Sequence, residues 1–115
     1  MTHDTLFLLP PGFVGNDRRE YCPECAEMWG LLAYFPAIKE SLSIQYVGIE
    51  KPRAGLTELL GEKNQNAPTL ILHPNSPVFE GCGIADNHGH RFIDNARSIG
   101  KYYAQRFGTP WPRGS

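Results

Sequence analysis

The chain has 115 residues, a net charge of −1, 20% charged residues and three cysteines, a length that suits one domain with a core of its own. With no basic run beyond Arg18-Arg19, it lacks the electrostatic footprint of a protein that binds nucleic acid or an anionic membrane, and no stretch approaches the roughly 20 apolar residues of a bilayer span. The opening MTHDTLFLLPPGF has no basic start and its apolar run is broken by Pro10-Pro11, so a cytoplasmic protein is expected, in which three cysteines do not form a disulfide framework.

Thr5 to Leu9 is a short continuous apolar run stopped by Pro-Pro-Gly, as in a strand buried on both faces of a sheet. Pro10 to Tyr21 is polar and rich in turn residues and reads as a loop. The period then changes. Cys25, Met28, Trp29, Leu32 and Phe35 fall on one helical stripe, so a helix starts at the cysteines. Pro36 ends it and opens a second short helix, PAIKESL, after which Ser43 to Glu50 is rich in β-branched and aromatic residues and predicts the second strand. Leu56 to Leu60, closed by Gly61, predicts a short helix, and Thr69 to His73 a third strand directly after Pro68. Pro74 to His90 reads as a long irregular connection, and the RFI that follows as a short edge strand. Asp94 or Asn95 is placed to cap a last helix with Ile99, Tyr102, Tyr103 and Phe107 inward and Gly108 at its end. No repeat interrupts this order, and residues 1–115 read as a single domain.

Three features carry a resemblance: Cys22-Pro23-Glu24-Cys25 after a strand, Ala67-Pro68-Thr69 opening a later strand, and the closing FIDNARSIGKYYAQRFG. Together they resemble the thioredoxin-like superfamily from about Thr5 to Phe107. The APTLIL strand and YYAQRFG helix look most like glutaredoxins and the N-terminal domain of glutathione transferases. The whole chain is similar to a family of short bacterial proteins of that fold with no assigned function. The resemblance implies a three-layer α/β sandwich with a central mixed sheet of about four strands flanked by helices. It implies thiol–disulfide exchange with no tightly bound cofactor, acting on a protein disulfide or on glutathione. It also implies that Pro68 is cis and lies beside the cysteines, leaving the backbone of Ala67 to pair with an extended peptide or glutathione.

The residues give their own reasons for the chemistry. A thiol at a helix N-terminus faces unsatisfied N–H groups and the positive end of the helix dipole, which favours its thiolate. Cys22 is therefore the expected nucleophile and Cys25, one turn deeper, the resolving thiol. Glu24 is expected to tune the pair, since a carboxylate between the cysteines works against the dipole while Arg18 and Arg19 offset it. A couple closer to a reductant than to an oxidant is expected. The start of the last helix, at Asn95 and Ala96, offers N–H groups to a carboxylate. Glutathione transferases carry an acidic residue and a serine there, so weak glutathione binding is expected, with Arg18, Arg19 or Lys51 as the second anion site.

Two other classes compete with exchange. One is a binding module of the same fold with redox-inert cysteines. The other is a zinc-binding domain through Cys22 and Cys25, completed by Cys82, His88 and His90. The plainer roles are a free thiol for Cys82, a solvated loop for the two histidines, helix caps for Asp94 and Asn95, and core for Trp29, Tyr102 and Tyr103.

Overall fold

A computed structural model describes residues 3–115; Met1 and Thr2, which belong to the opening segment read above, lie outside the described residues. The first apolar run forms β1 (Asp4–Leu8), buried along its whole length. It sits inside a five-stranded mixed sheet of order β4-β1-β5-β7-β6, with β4 (Leu42–Tyr46), β5 (Thr69–Ile71), β6 (Ala85–Asn87) and β7 (His90–Ile93). Among the described residues only β1 and β4 run parallel. A parallel pair needs a crossover, here supplied by α1 (Pro23–Tyr34) and α2 (Pro36–Glu40). The chain then passes through α3 (Ala54–Leu60) and ends in α4 (Ala96–Phe107).

Strand alternation places helices on both faces of the sheet. On one face, a Cβ added to Gly55 of α3 would stand 2.8 Å from the Phe7 ring, so the helix lies directly against it. On the other, the even-numbered residues of β1 face α4, where the Tyr103 hydroxyl donates to Asp4 Oδ2 at 2.9 Å. Leu6, Leu8, Met28, Leu32, Ile99, Tyr102 and Tyr103 fill the layer beneath α1 and α4. Each such large apolar side chain contributes on the order of 1.5–3 kcal/mol by leaving water.

Two segments differ from the sequence expectation. Pro10 to Tyr21, read as a loop, contains a separate two-stranded hairpin, Phe13–Gly15 with Arg18–Glu20, here labelled the arm. The connection before RFI contains β6, so the sheet has five strands rather than about four, and β7 is an inner strand with β6 at the edge. Both hairpins turn on two residues with positive φ, Asn16-Asp17 (52° and 59°) and His88-Gly89 (50° and 76°). Such turns match the twist of paired strands and need only two residues. At the end of α4, Phe107 is 40% exposed rather than core, stacking its ring on Tyr103 at 5.5 Å. Among the described residues no helix is long and apolar enough to cross a membrane.

Candidate thiol site

The site forms where the backbone leaves β1 and re-enters as α1. Cys22 is the N-cap of α1, with extended backbone (φ −82°, ψ 118°), and Pro23 takes the first helical position, where its missing N–H costs nothing. Cys22 Sγ accepts a hydrogen bond from Cys25 N at 3.2 Å. A sulfur thus does the work of the usual Ser or Asp cap. Cys22 is half-buried, whereas Cys25 is buried and its Sγ accepts from Leu9 N at 3.4 Å. Burial pushes the Cys25 thiol up to about 12, against the opposing Leu9 hydrogen bond, and the hydrogen bond to Cys22 and the charges of Cys22 and Glu24 push the same way. Cys25 therefore stays protonated at neutral pH.

The other wall is the turn before β5. The Cys22 thiol points at the Ala67 carbonyl, 3.9 Å away, and the Ala67-Pro68 peptide is cis. Asn66 Nδ2 donates to the Asp94 carbonyl, which holds this turn to the start of α4. There Asn95 is the cap, its Oδ1 accepting from Ser98 N at 2.8 Å. Ala96 N donates to Glu24 Oε1 at 3.1 Å. This last contact corrects the expectation of an open carboxylate site at Asn95 and Ala96. Glu24 reaches across from α1 and fills it.

Beside the thiols lies a cleft of about 330 Å³ lined by Leu9, Pro10, Pro11, Tyr21, Cys22, Cys25, Ala26 and Trp29. The arm stands at its rim, with Tyr21 at 64% exposure. Arg18 is engaged by Glu20 at 2.9 Å, and the Arg19 guanidinium lies over Gly12.

The remaining candidates lie apart from this site. Cys82 is fully buried, and its sulfur accepts from Gln105 Nε2 of α4 at 2.9 Å. The ring of His88 lies against Gly61 at the end of α3. Among the described residues no three His, Cys, Asp or Glu side chains are grouped so as to hold a metal ion.

Residues 3–111 match a family described as a protein of unknown function, DUF3088. The chain belongs to that family. No curated protein and no solved structure matches it. Membership assigns no activity, so the chemistry rests on the geometry above.

Sequence reasoning singled out Cys22, Cys25, Ala67, Pro68, Glu24 and Asn95; Cys22 and Cys25 line the cleft, the Ala67 carbonyl of the Ala67-Pro68 turn faces Cys22, and Glu24 meets α4 one residue beyond the Asn95 cap. It missed Asn66, whose amide closes the groove, and Leu9, whose N–H faces Cys25. Asn66 directly precedes the Ala-Pro pair, which was the available signal. Nothing local marks Leu9, because its role depends on where the helix lands.

Proposed function

We propose that this protein is a thioredoxin-like thiol–disulfide oxidoreductase in which Cys22 attacks and Cys25 resolves. One observation carries the reading. The exposed-side sulfur of Cys22 caps α1 on Cys25 N while the second thiol sits protonated beneath it. The strand order and the position of Ala67-Pro68 opposite Cys22 support the fold part of this reading.

In the first step the Cys22 thiolate attacks one sulfur of a substrate disulfide. The substrate S–S bond breaks, a Cys22 mixed disulfide forms, and the departing thiolate takes a proton from water. In the second step Cys25 attacks Cys22 Sγ, its proton passes to the second substrate thiol, and the Cys22–Cys25 disulfide remains. The first step prepares the second. Burial holds the Cys25 thiol up most, but the hydrogen bond and charge of Cys22 add to it, and both vanish once Cys22 is in a mixed disulfide. The substrate is reduced by two electrons, which an external dithiol or low-molecular-weight thiol must restore. Ala67 offers its carbonyl to the substrate backbone in extended pairing.

The test is equilibration of the purified protein in glutathione redox buffers, reading the Cys22–Cys25 disulfide by mass. We expect a single intramolecular disulfide with a potential nearer to about −270 mV than to about −120 mV, the values of a reducing and a strongly oxidising couple. This expectation rests on Glu24, the acidic residue in the first turn of α1 between the two cysteines, since like charges close together repel. A pair that remains dithiol under strongly oxidising buffers removes the enzyme reading and leaves a binding module.

A further inference from the structure

Glu24 lies between the two cysteines, yet its carboxylate leaves them for a residue 72 positions away, Ala96. A closed circuit of contacts places that bond on the rim of the thiol groove. Cys22 faces the Ala67 carbonyl, Asn66 beside it is tied to Asp94, and two residues on Ala96 meets Glu24. The start of α4 is therefore within one side chain's reach of the turn that carries Cys22. A carboxylate already seated there shows that the position accepts one. Further along the same turn, Ser98 N is taken by Asn95 Oδ1 and Ile99 N by the Asn95 carbonyl.

We infer that Glu24 is a specificity residue that occupies the carboxylate position at the start of α4, so that Cys22 exchanges with neutral disulfides in preference to disulfides of carboxylate-bearing thiols. An incoming thiol acid joined to Cys22 would find its natural partner, the Ala96 N–H at the positive end of α4, both occupied and screened by a like charge. A partner held by its backbone at Ala67 needs no such contact. The inference rests on the Cys22 exchange proposed above and narrows its substrate class.

The experiment uses the full chain with Cys25→Ser, so that mixed disulfides at Cys22 accumulate, with the modified cysteine identified by peptide mapping. Rates are compared for the dianionic 3,3′-dithiodipropionate and the neutral 2-hydroxyethyl disulfide. In each case the reagent S–S bond breaks, a Cys22–S–S–R bond forms, and the thiolate released is protonated by solvent. Glu24→Ala should raise the ratio of the anionic to the neutral rate about two- to fivefold, the size of a carboxylate's interaction with a helix start. Adding Ala96→Pro removes the N–H at a helical position that suits proline, behind an Asn95 whose backbone (φ −151°, ψ 151°) proline also permits. The double change should return the ratio to the wild-type value.

Glu27→Ala deletes a charge from the same helix while keeping the Glu24 hydrogen bond to Ala96 N, and should leave the ratio as it was. It is also the arm that decides if the proline variant does not fold. A flat ratio in Glu24→Ala, an equal rise in Glu27→Ala, or a gain that survives Ala96→Pro would each overturn the inference. No mixed disulfide with either reagent would overturn the exchange reading along with it. Intact selectivity without a Cys22–Cys25 disulfide in redox buffer would overturn the enzyme reading alone.

Discussion

At the scale of single residues, the most demanding position outside the thiol site is Asp4. It is 2% exposed, and its carboxylate accepts from His73 N, Ser76 Oγ, Tyr103 Oη and Arg106 Nη1 at 2.6–2.9 Å. Four donors from two separate segments converge on one side chain, so the group is satisfied and it also ties β1 to α4 and to the turn after β5. Removing it leaves the Tyr103 hydroxyl without its acceptor and a partly buried guanidinium without its counter-charge, with only the longer contacts to Ser76 Oγ and Tyr102 Oη at 3.3 and 3.5 Å. Asp4→Ala should cost about 3–5 kcal/mol, the usual loss when one partner of a buried pair is deleted. Arg106 keeps 23% of its side chain in contact with solvent, which favours the lower end. The check is a urea midpoint at unchanged slope. Adding Arg106→Met should recover part of the loss, because it removes the stranded charge, although it also gives up the guanidinium's place over the Phe107 ring at 5.3 Å. A double variant as unstable as the sum of the singles would show that Asp4 and Arg106 act independently.

Secondary elements show what was readable and what was not. The helix at Cys22 and the strands at Thr5 and Thr69 were legible because each carries a local signature: a helical stripe, or an apolar run ended by proline. The two hairpins were not read, although their turns are local too. Asn16-Asp17 and His88-Gly89 are both pairs that tolerate positive φ, but polar neighbours such as Arg18, Arg19, Asp86 and Asn87 hide the strands on either side. Glycines in the two kinds of element should respond with opposite signs. Gly89 has φ 76° and an added Cβ would meet nothing within 4 Å, so the penalty is purely conformational. Gly89→Ala should destabilise by about 1–2 kcal/mol, the cost of left-handed backbone for an L-residue. Gly30, exposed in the middle of α1 and equally free of neighbours, should gain up to about 1 kcal/mol as Gly30→Ala. Thermal unfolding of the two variants decides this, and a loss at Gly30 would mean that the α1 surface there is covered.

At the scale of the molecule, the order of the helices and of β1, β4, β5 and β7 was legible and the long-range pairings were not. Composition and period give the alternation of strand and helix. Nothing near Glu24 signals Ala96, and nothing near Asp4 signals Tyr103 or Arg106, because these contacts exist only after the sheet has brought distant segments together. The same burial that hides them sets how the whole fold responds to alkali. Burial pushes up the thiols of Cys25 and Cys82 and the phenols of Tyr102 and Tyr103, with Asp4 adding to the effect at Tyr103. For each group the native state favours the protonated form. The Cys25 thiol is held up to about 12, against an ordinary value of 9.0. Between these pH values the native protein keeps a proton that the unfolded chain has released, so stability falls as pH rises through that window. Below it both states are protonated and the contribution is constant. Urea midpoints should therefore be flat with respect to Cys25 up to about pH 9 and fall above it. Cys25→Ala should make the fall above pH 9 shallower, leaving Cys82, which starts from the same ordinary value of 9.0, and, from their ordinary value of 10.0, the two tyrosines. A fall as steep as in wild type would mean that Cys25 ionises as readily in the folded protein as in the unfolded one, and the protonated resolving thiol would have to be abandoned.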